Sequence, residues 1–120
     1  MRVAIVGSRK FQNREKVIEL VNSLPQETVI VSGGCHGPDK WAEDAARKRG
    51  MDVDIYLPDL PKKNAPWYDF TKAYYARNMK IAQNSDAMHA FVTPDRTGGT
   101  ENAIKYAKQL NKNVTVHDGE

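Results

Sequence analysis

The sequence predicts an α/β fold: a single Rossmann-like, doubly wound domain whose five-stranded, mainly parallel sheet carries helices on both faces. Three observations predict it. Short apolar runs alternate with segments of helical period along the whole chain, the order that a parallel sheet with crossover helices requires. The runs are continuously apolar, as in strands buried on both faces. Three of them end in glycine-bearing turns just ahead of a helix: VAIV into Gly7-Ser8-Arg9, VIV into Ser32-Gly33-Gly34, and AFV into the loop reaching Gly98-Gly99-Thr100.

Arg2 to Val6 reads as the first strand. Asn13 is placed to N-cap a helix whose stripe is Val17, Ile18, Val21 and Leu24, stopped by Pro25. Val29 to Val31 is the second strand. Pro38 suits the first turn of the next helix, which puts Trp41, Ala42, Ala45 and Ala46 on one face, Arg47 to Arg49 in its last turn and Gly50 at its stop. Val53 to Leu57 is strand three. Pro58 to Pro66, with Lys62-Lys63, is irregular and long for a strand-to-helix connection, the kind of loop that covers a site. A helix from Tyr68 to Gln83 follows, with Phe70, Ala73, Tyr74 and Ile81 on its buried face. Strand four runs from Ala87 to Val92, and a helix from Thr100 to Leu110 turns Ile104, Ala107 and Leu110 inward. Val114 to Val116 closes the sheet. The domain thus covers residues 1–117, and Asp118-Gly119-Glu120 reads as a frayed tail.

With 120 residues the chain has room for a sheet and two covering layers but not for a separate cap domain, so any site sits on the core fold. Its 40% hydrophobic and 28% charged residues are ordinary for a globular protein. No apolar run is long enough to span a membrane, and the N-terminal MRVAIVG lacks the features of a signal peptide. A lone cysteine, Cys35, excludes an internal disulfide and makes a cytoplasmic setting the expectation. The net charge of +3 is spread out; without a basic block or a set of stacking aromatics it does not make a nucleic-acid footprint. His36, His89 and His117 stand apart in sequence, so neither a metal nor a bound cofactor is expected.

A helix N-terminus presents unpaired N–H groups and roughly half a positive charge, and glycine lets the backbone approach an anion closely. Three such termini along one sheet edge make a phosphate crevice, at the point where the strand order reverses beyond the strands' carboxyl ends. Plain turn punctuation is the competing reading of each glycine. Arg77 falls in the middle of the apolar face of the third helix, where a guanidinium needs a carboxylate, a run of carbonyls or an anionic ligand, unless it snorkels to solvent or pairs with Asp69. Asp39 and Glu101 each occupy a first helical turn, where an acid either favours the dipole or reads a ligand. Ser8 and Ser32 either donate to phosphate or cap helices. Cys35 and His36 are adjacent in sequence and so seldom meet as a nucleophile and base. Trp41 and Trp67 are better read as packing than as base-stacking groups.

VAIVGSRKF, VSGGCHGPDKWAEDAARKRG and ARNMKIAQNSDAMHAFVTPDRTGGTENAIKYA, together nearly the whole chain, resemble the SLOG superfamily. This Rossmann-like group contains the Lonely Guy phosphoribohydrolases, the DNA-processing protein A fold and small YspA-type proteins. The small single-domain branch is the best match, on its GSR-type first loop, GG-x-x-G-x-D second loop, Arg77-Asn78 pair and Gly-Thr loop. The resemblance implies a nucleotide-derived ligand at Gly7, Ser8, Arg9, Ser32, Gly33, Gly34, Asp39, Arg77, Asn78, Gly98, Gly99, Thr100 and Glu101. In the phosphoribohydrolases the helix-three arginine works with a glutamate three residues after the loop threonine. Arg77 matches the arginine, but Ala103 stands where the glutamate should be, and Glu101 lies about 200° away around the helix. Pro94-Asp95-Arg96-Thr97 also departs from the usual proline-glycine-glycine run.

The leading expectation is therefore a nucleotide-binding module that senses or sequesters its ligand. The alternative is a nucleoside-phosphate N-glycosidase using Arg77 with Glu101 or Asp39 as the working acid, and the third option, DNA binding, has the least sequence support. Trp67, Tyr68 and Phe70 are a candidate contact surface between copies, which an aromatic core explains equally well.

Overall fold

Five strands, β1 (Arg2–Gly7), β2 (Val29–Ser32), β3 (Val53–Ile55), β4 (Ala87–Phe91) and β5 (Asn113–His117), alternate with four helices, α1 (Arg14–Ser23), α2 (Pro38–Lys48), α3 (Trp67–Gln83) and α4 (Gly99–Gln109). The computed structural model describes residues 1–96 and 98–118; Thr97 of the loop before α4, and Gly119 and Glu120 of the expected tail, lie outside the described residues. The Asp118 carbonyl accepts a hydrogen bond from Lys16 Nζ at 2.7 Å.

All the strand pairings are parallel, in the order β3-β2-β1-β4-β5. The chain winds outward from β1 to β3, then crosses back to place β4 against the other side of β1. The strand order reverses there, with Gly7 opposite Phe91 at the carboxyl ends. This is where an open α/β sheet forms a crevice.

The alternation of side chains along β1 divides the core in two. Val3 and Ile5 join Phe11, Val17, Val21 and Ala42 beneath α1 and α2, whereas Ala4 and Val6 join Ile81, Met88, Ala103 and Ile104 beneath α3 and α4. Helix boundaries follow local chemistry. Asn13 caps α1 by accepting from the Lys16 N–H at 3.2 Å. Pro38 opens α2, and Gly50, at φ +73°, ends its turn in a conformation side chains resist.

Three sequence expectations are corrected. β3 stops at Ile55 and Leu57 is exposed, because β3 is an edge strand and the chain turns away after Tyr56 bonds Ser32 O. Leu110 is exposed at the end of α4, one residue past its last helical turn. Phe70, Ala73 and Tyr74 are only partly buried. The first half of the 17-residue α3 faces solvent and a surface cavity, with Trp67 77% exposed at its start; the buried helical residues begin at Arg77.

Candidate functional site

A cavity of about 540 Å³ opens at the β1/β4 switch point, within the roughly 300–1,000 Å³ typical of small-molecule sites. The turn after β1 forms one side, with Gly7, Ser8, Arg9 and Lys10. The start of α4 forms another, with Gly98, Gly99, Thr100 and Ala103. Thr71, Tyr74, Tyr75, Arg77, Asn78 and Ile81 of α3 make a wall, while Cys35 and Asp39 reach in from the β2–α2 connection.

Close packing fixes the first turn. A Cβ on Gly7 would lie 2.5 Å and 2.6 Å from ring carbons of Pro38 and 3.1 Å from the Phe91 carbonyl, so only glycine lets β1 pass between α2 and β4. The Ser8 N–H donates to Phe91 O at 3.0 Å, and the Ser8 hydroxyl accepts the Lys10 N–H. Lys10 Nζ reaches Asp95 at 3.5 Å across the rim. Gly98, at φ +90°, precedes α4 and has no side chain to cap the helix.

Arg77 is 7% exposed, and its charge is met mainly by neutral groups. Its Nη1 donates to Gly33 O at 2.8 Å, its Nε to Asn78 Oδ1 at 3.0 Å and its Nη2 to Cys35 Sγ at 3.6 Å. The guanidinium also lies 5.8 Å from the Tyr74 ring centroid. Asn78 Nδ2 in turn donates to Gly99 O at 3.2 Å and to Asn102 Oδ1 at 3.0 Å, which ties α3 to the start of α4.

Asp39, 4% exposed, accepts from the N–H groups of Gly33 (3.1 Å) and Cys35 (3.4 Å) through Oδ2. Burial lifts its carboxyl from 3.8 to about 7, against the opposing pull of those two N–H groups and of Arg77; the charge of Glu43 adds to the rise. Glu43 is fully buried one helical turn on. Its Oε2 accepts the Ser32 hydroxyl at 2.6 Å; its Oε1 lacks a hydrogen bond but lies 3.6 Å from Lys40 and 3.7 Å from Arg47.

A family model described as the YspA, cpYpsA-related SLOG family matches residues 1–62, just over half of the 120. The chain belongs to this SLOG family. Among solved structures, DNA processing protein A (DprA) from Streptococcus pneumoniae matches this SLOG chain with a TM-score of 0.78 and 24% identity over 99% of the chain, establishing the shared Rossmann-like fold. The SLOG chain spans 50% of that DprA chain. No curated protein sequence matches it.

The SLOG residues singled out from the sequence divide into three groups. Gly7, Ser8, Arg9, Asp39, Arg77, Asn78, Gly98, Gly99 and Thr100 line the cavity. Ser32, Gly33 and Gly34 do not: strand alternation turns Ser32 toward α2 and Glu43, and the Gly33 peptide is held between Arg77 and Asp39. A Cβ on Gly33 would sit 2.7 Å from Arg77 Nη1, so this glycine makes room for the guanidinium. Glu101 is also outside the lining, paired through both carboxylate oxygens with Arg96 at 2.7 Å and 3.1 Å. Ala103, buried in the first turns of α4, also lines the cavity.

Sequence reasoning missed Thr71, Tyr75, Lys10 and Asp95 as cavity residues, and it assigned Tyr74 to the core. A helix start rich in aromatics was the available signal, but it has the same pattern whether it faces a core or a cavity. No helix among the described residues is long and apolar enough to cross a membrane, and no group of three or more metal-ligating side chains occurs among them.

Proposed function

We propose that this SLOG chain binds a nucleotide-derived small molecule, sensing or sequestering it. The carrying observation is the cavity at the strand-order reversal, bounded by a glycine turn and an α4 start that has no capping side chain, with Arg77 held rigidly in its wall. In this reading the anionic group of the ligand sits against the first N–H groups of α4 and the Ser8 turn, where dipole and backbone donors favour it. The Tyr74 and Tyr75 wall offers aromatic surface to a base.

The test is a thermal-shift screen of nucleoside mono-, di- and triphosphates, cyclic nucleotides and ADP-ribose. A ligand at 100 times its dissociation constant stabilises by ~2.7 kcal/mol, raising the melting point of a chain this size by on the order of ten degrees. The expected result is a shift with one subset that disappears in Arg77→Ala; equal shifts in both proteins refute the proposal.

One observation favours the N-glycosidase alternative. Asp39 is a cavity carboxyl held near neutral pH, the condition for a general acid. Glu101, engaged by Arg96, is the weaker candidate for that role. Chromatographic detection of free base released from a binding nucleotide decides for the enzyme, and recovery of intact nucleotide decides for the binder. DNA binding draws on the DprA likeness and the mild net charge of +3, and absence of DNA affinity at low salt removes it.

A further inference from the structure

The two edges of the sheet are protected unequally. β3 is three residues long and has an acid, Asp54, at its centre, and both shortness and charge discourage pairing with another chain. β5, at the opposite edge, runs for five residues, Asn113–His117, with no proline, lysine, arginine or acid among them. His117 O accepts the Val92 N–H, so Asn113, Thr115 and His117 turn their backbone groups toward β4, while Val114 and Val116 turn theirs outward. Among the described residues nothing hydrogen-bonds to those outward groups.

The sequence along this edge is complementary to itself in reverse. Set antiparallel to a second copy about Thr115, Val114 meets the partner's Val116, Asn113 meets the partner's His117, and Lys112 meets the partner's Asp118. The valine pairs use the outward N–H and C=O groups of both strands, and the two Thr115 side chains meet on the two-fold axis. Alternation keeps each pair on one face of the sheet. Val114 and Val116, half-buried against the apolar layer under α3 and α4, gain cover, and Thr115 is exposed on the other face. Sliding the pairing by two residues leaves the charges of Lys112 and Asp118 without counterparts, so one register is favoured.

We infer that β5 is a docking edge for a second copy of this chain, the two β5 strands joining antiparallel so that both sheets become one. Charge complementarity selects the occupant, because a strand of unrelated sequence gives Lys112 and Asp118 no counterparts at that spacing. Within one chain these two residues flank opposite ends of β5, about 20 Å apart at the rise of an extended strand, too far to pair with each other. The arrangement is independent of the nucleotide-binding reading. No residue of β5 lines the cavity, and antiparallel pairing turns the two cavities toward opposite ends of the joint sheet.

The experiment is sedimentation equilibrium from micromolar to millimolar protein on wild type, Lys112→Glu, Asp118→Lys, the variant carrying both, Thr115→Lys and Trp67→Ser, with circular dichroism to verify folding. Lys112 and Asp118 lie outside the strand and Thr115 is exposed, so these changes leave the fold intact. The expected result is a wild-type dimer whose dissociation constant rises about tenfold in each single charge reversal, which sets like charges opposite each other at both ends. The doubly reversed variant returns to the wild-type constant, and mixing the two single variants gives a mixed dimer tighter than either alone. Thr115→Lys weakens association, and Trp67→Ser leaves it unchanged. A wild type that stays monomeric throughout overturns the inference. So do charge reversals without effect, reversals that the double variant does not rescue, or a dimer lost in Trp67→Ser and kept in Thr115→Lys.

Discussion

Replacing Asp39 with asparagine should make the protein more stable, by an amount that depends on pH. In the folded chain burial holds this carboxyl at about 7, against 3.8 for an exposed aspartate. A folded-state value raised in this way means that between 3.8 and 7 the unfolded chain gives up a proton that the folded chain keeps. Stability therefore falls as pH rises through that window and levels off above 7. Each pH unit is worth about 1.4 kcal/mol, so the accumulated cost at pH 8 is about 4 kcal/mol. Asparagine carries no charge, resembles the protonated acid in shape, and its carbonyl can still accept the Gly33 and Cys35 N–H groups. Asp39→Asn should accordingly exceed wild type by about 4 kcal/mol at pH 8, or on the order of ten degrees in melting point, with the gap closing toward pH 4. Calorimetric melts of both proteins across pH 4–8 measure this. A variant no more stable than wild type at pH 8, or a gap that does not shrink on acidification, refutes the burial argument.

Gly33→Ala drives a methyl to within 2.7 Å of Arg77 Nη1 and 3.1 Å of Asp39 Oδ2; urea titration should show a loss of about 1–3 kcal/mol, and nucleotide-induced stabilisation should vanish. Glu101→Gln, at the surface and paired with Arg96, should retain wild-type nucleotide affinity by calorimetry. His89 and His117 meet at 2.9 Å between ring nitrogens, and burial foremost lowers both below their ordinary 6.5. Groups lowered in this way stabilise the fold above the unfolded value, and that contribution is lost as pH drops from 6.5. In an Asp39→Asn background, which removes the opposing trend, the urea midpoint should fall between pH 7 and pH 5, and His117→Phe should flatten the decline.

The fold was legible because apolar runs and punctuation agreed along the whole chain: Asn13, Pro38 and Gly50 each mark the boundary that their chemistry implies. Arg77 was legible as an anomaly, a permanent charge on an apolar helix face, and the carbonyl that meets it was one of the partners its chemistry demanded. Which carbonyl was not legible. Spacing cannot tell whether a glycine turn aims its N–H groups outward at a ligand or lies beneath an arginine, and Gly33 does the latter. The burial of Asp39 was hidden for a similar reason, since it depends on how the loop after β2 folds back. The His89–His117 contact depends on the pairing of β4 with β5, which sets Phe91 beside His117, and on Phe91 stacking on the His117 ring 4.6 Å away.

The position of the cavity at the meeting of two windings has a consequence for engineering. A cut in the irregular connection between β3 and α3 yields one fragment bearing Gly7, Ser8 and Asp39 and another bearing Arg77, Gly99 and Thr100, joined by the β1–β4 ladder and the apolar layer under α3 and α4. Neither fragment holds a whole site. A bound molecule would contact both, so its binding energy would add to their reassociation, and the halves fused to a split reporter would convert ligand concentration into signal.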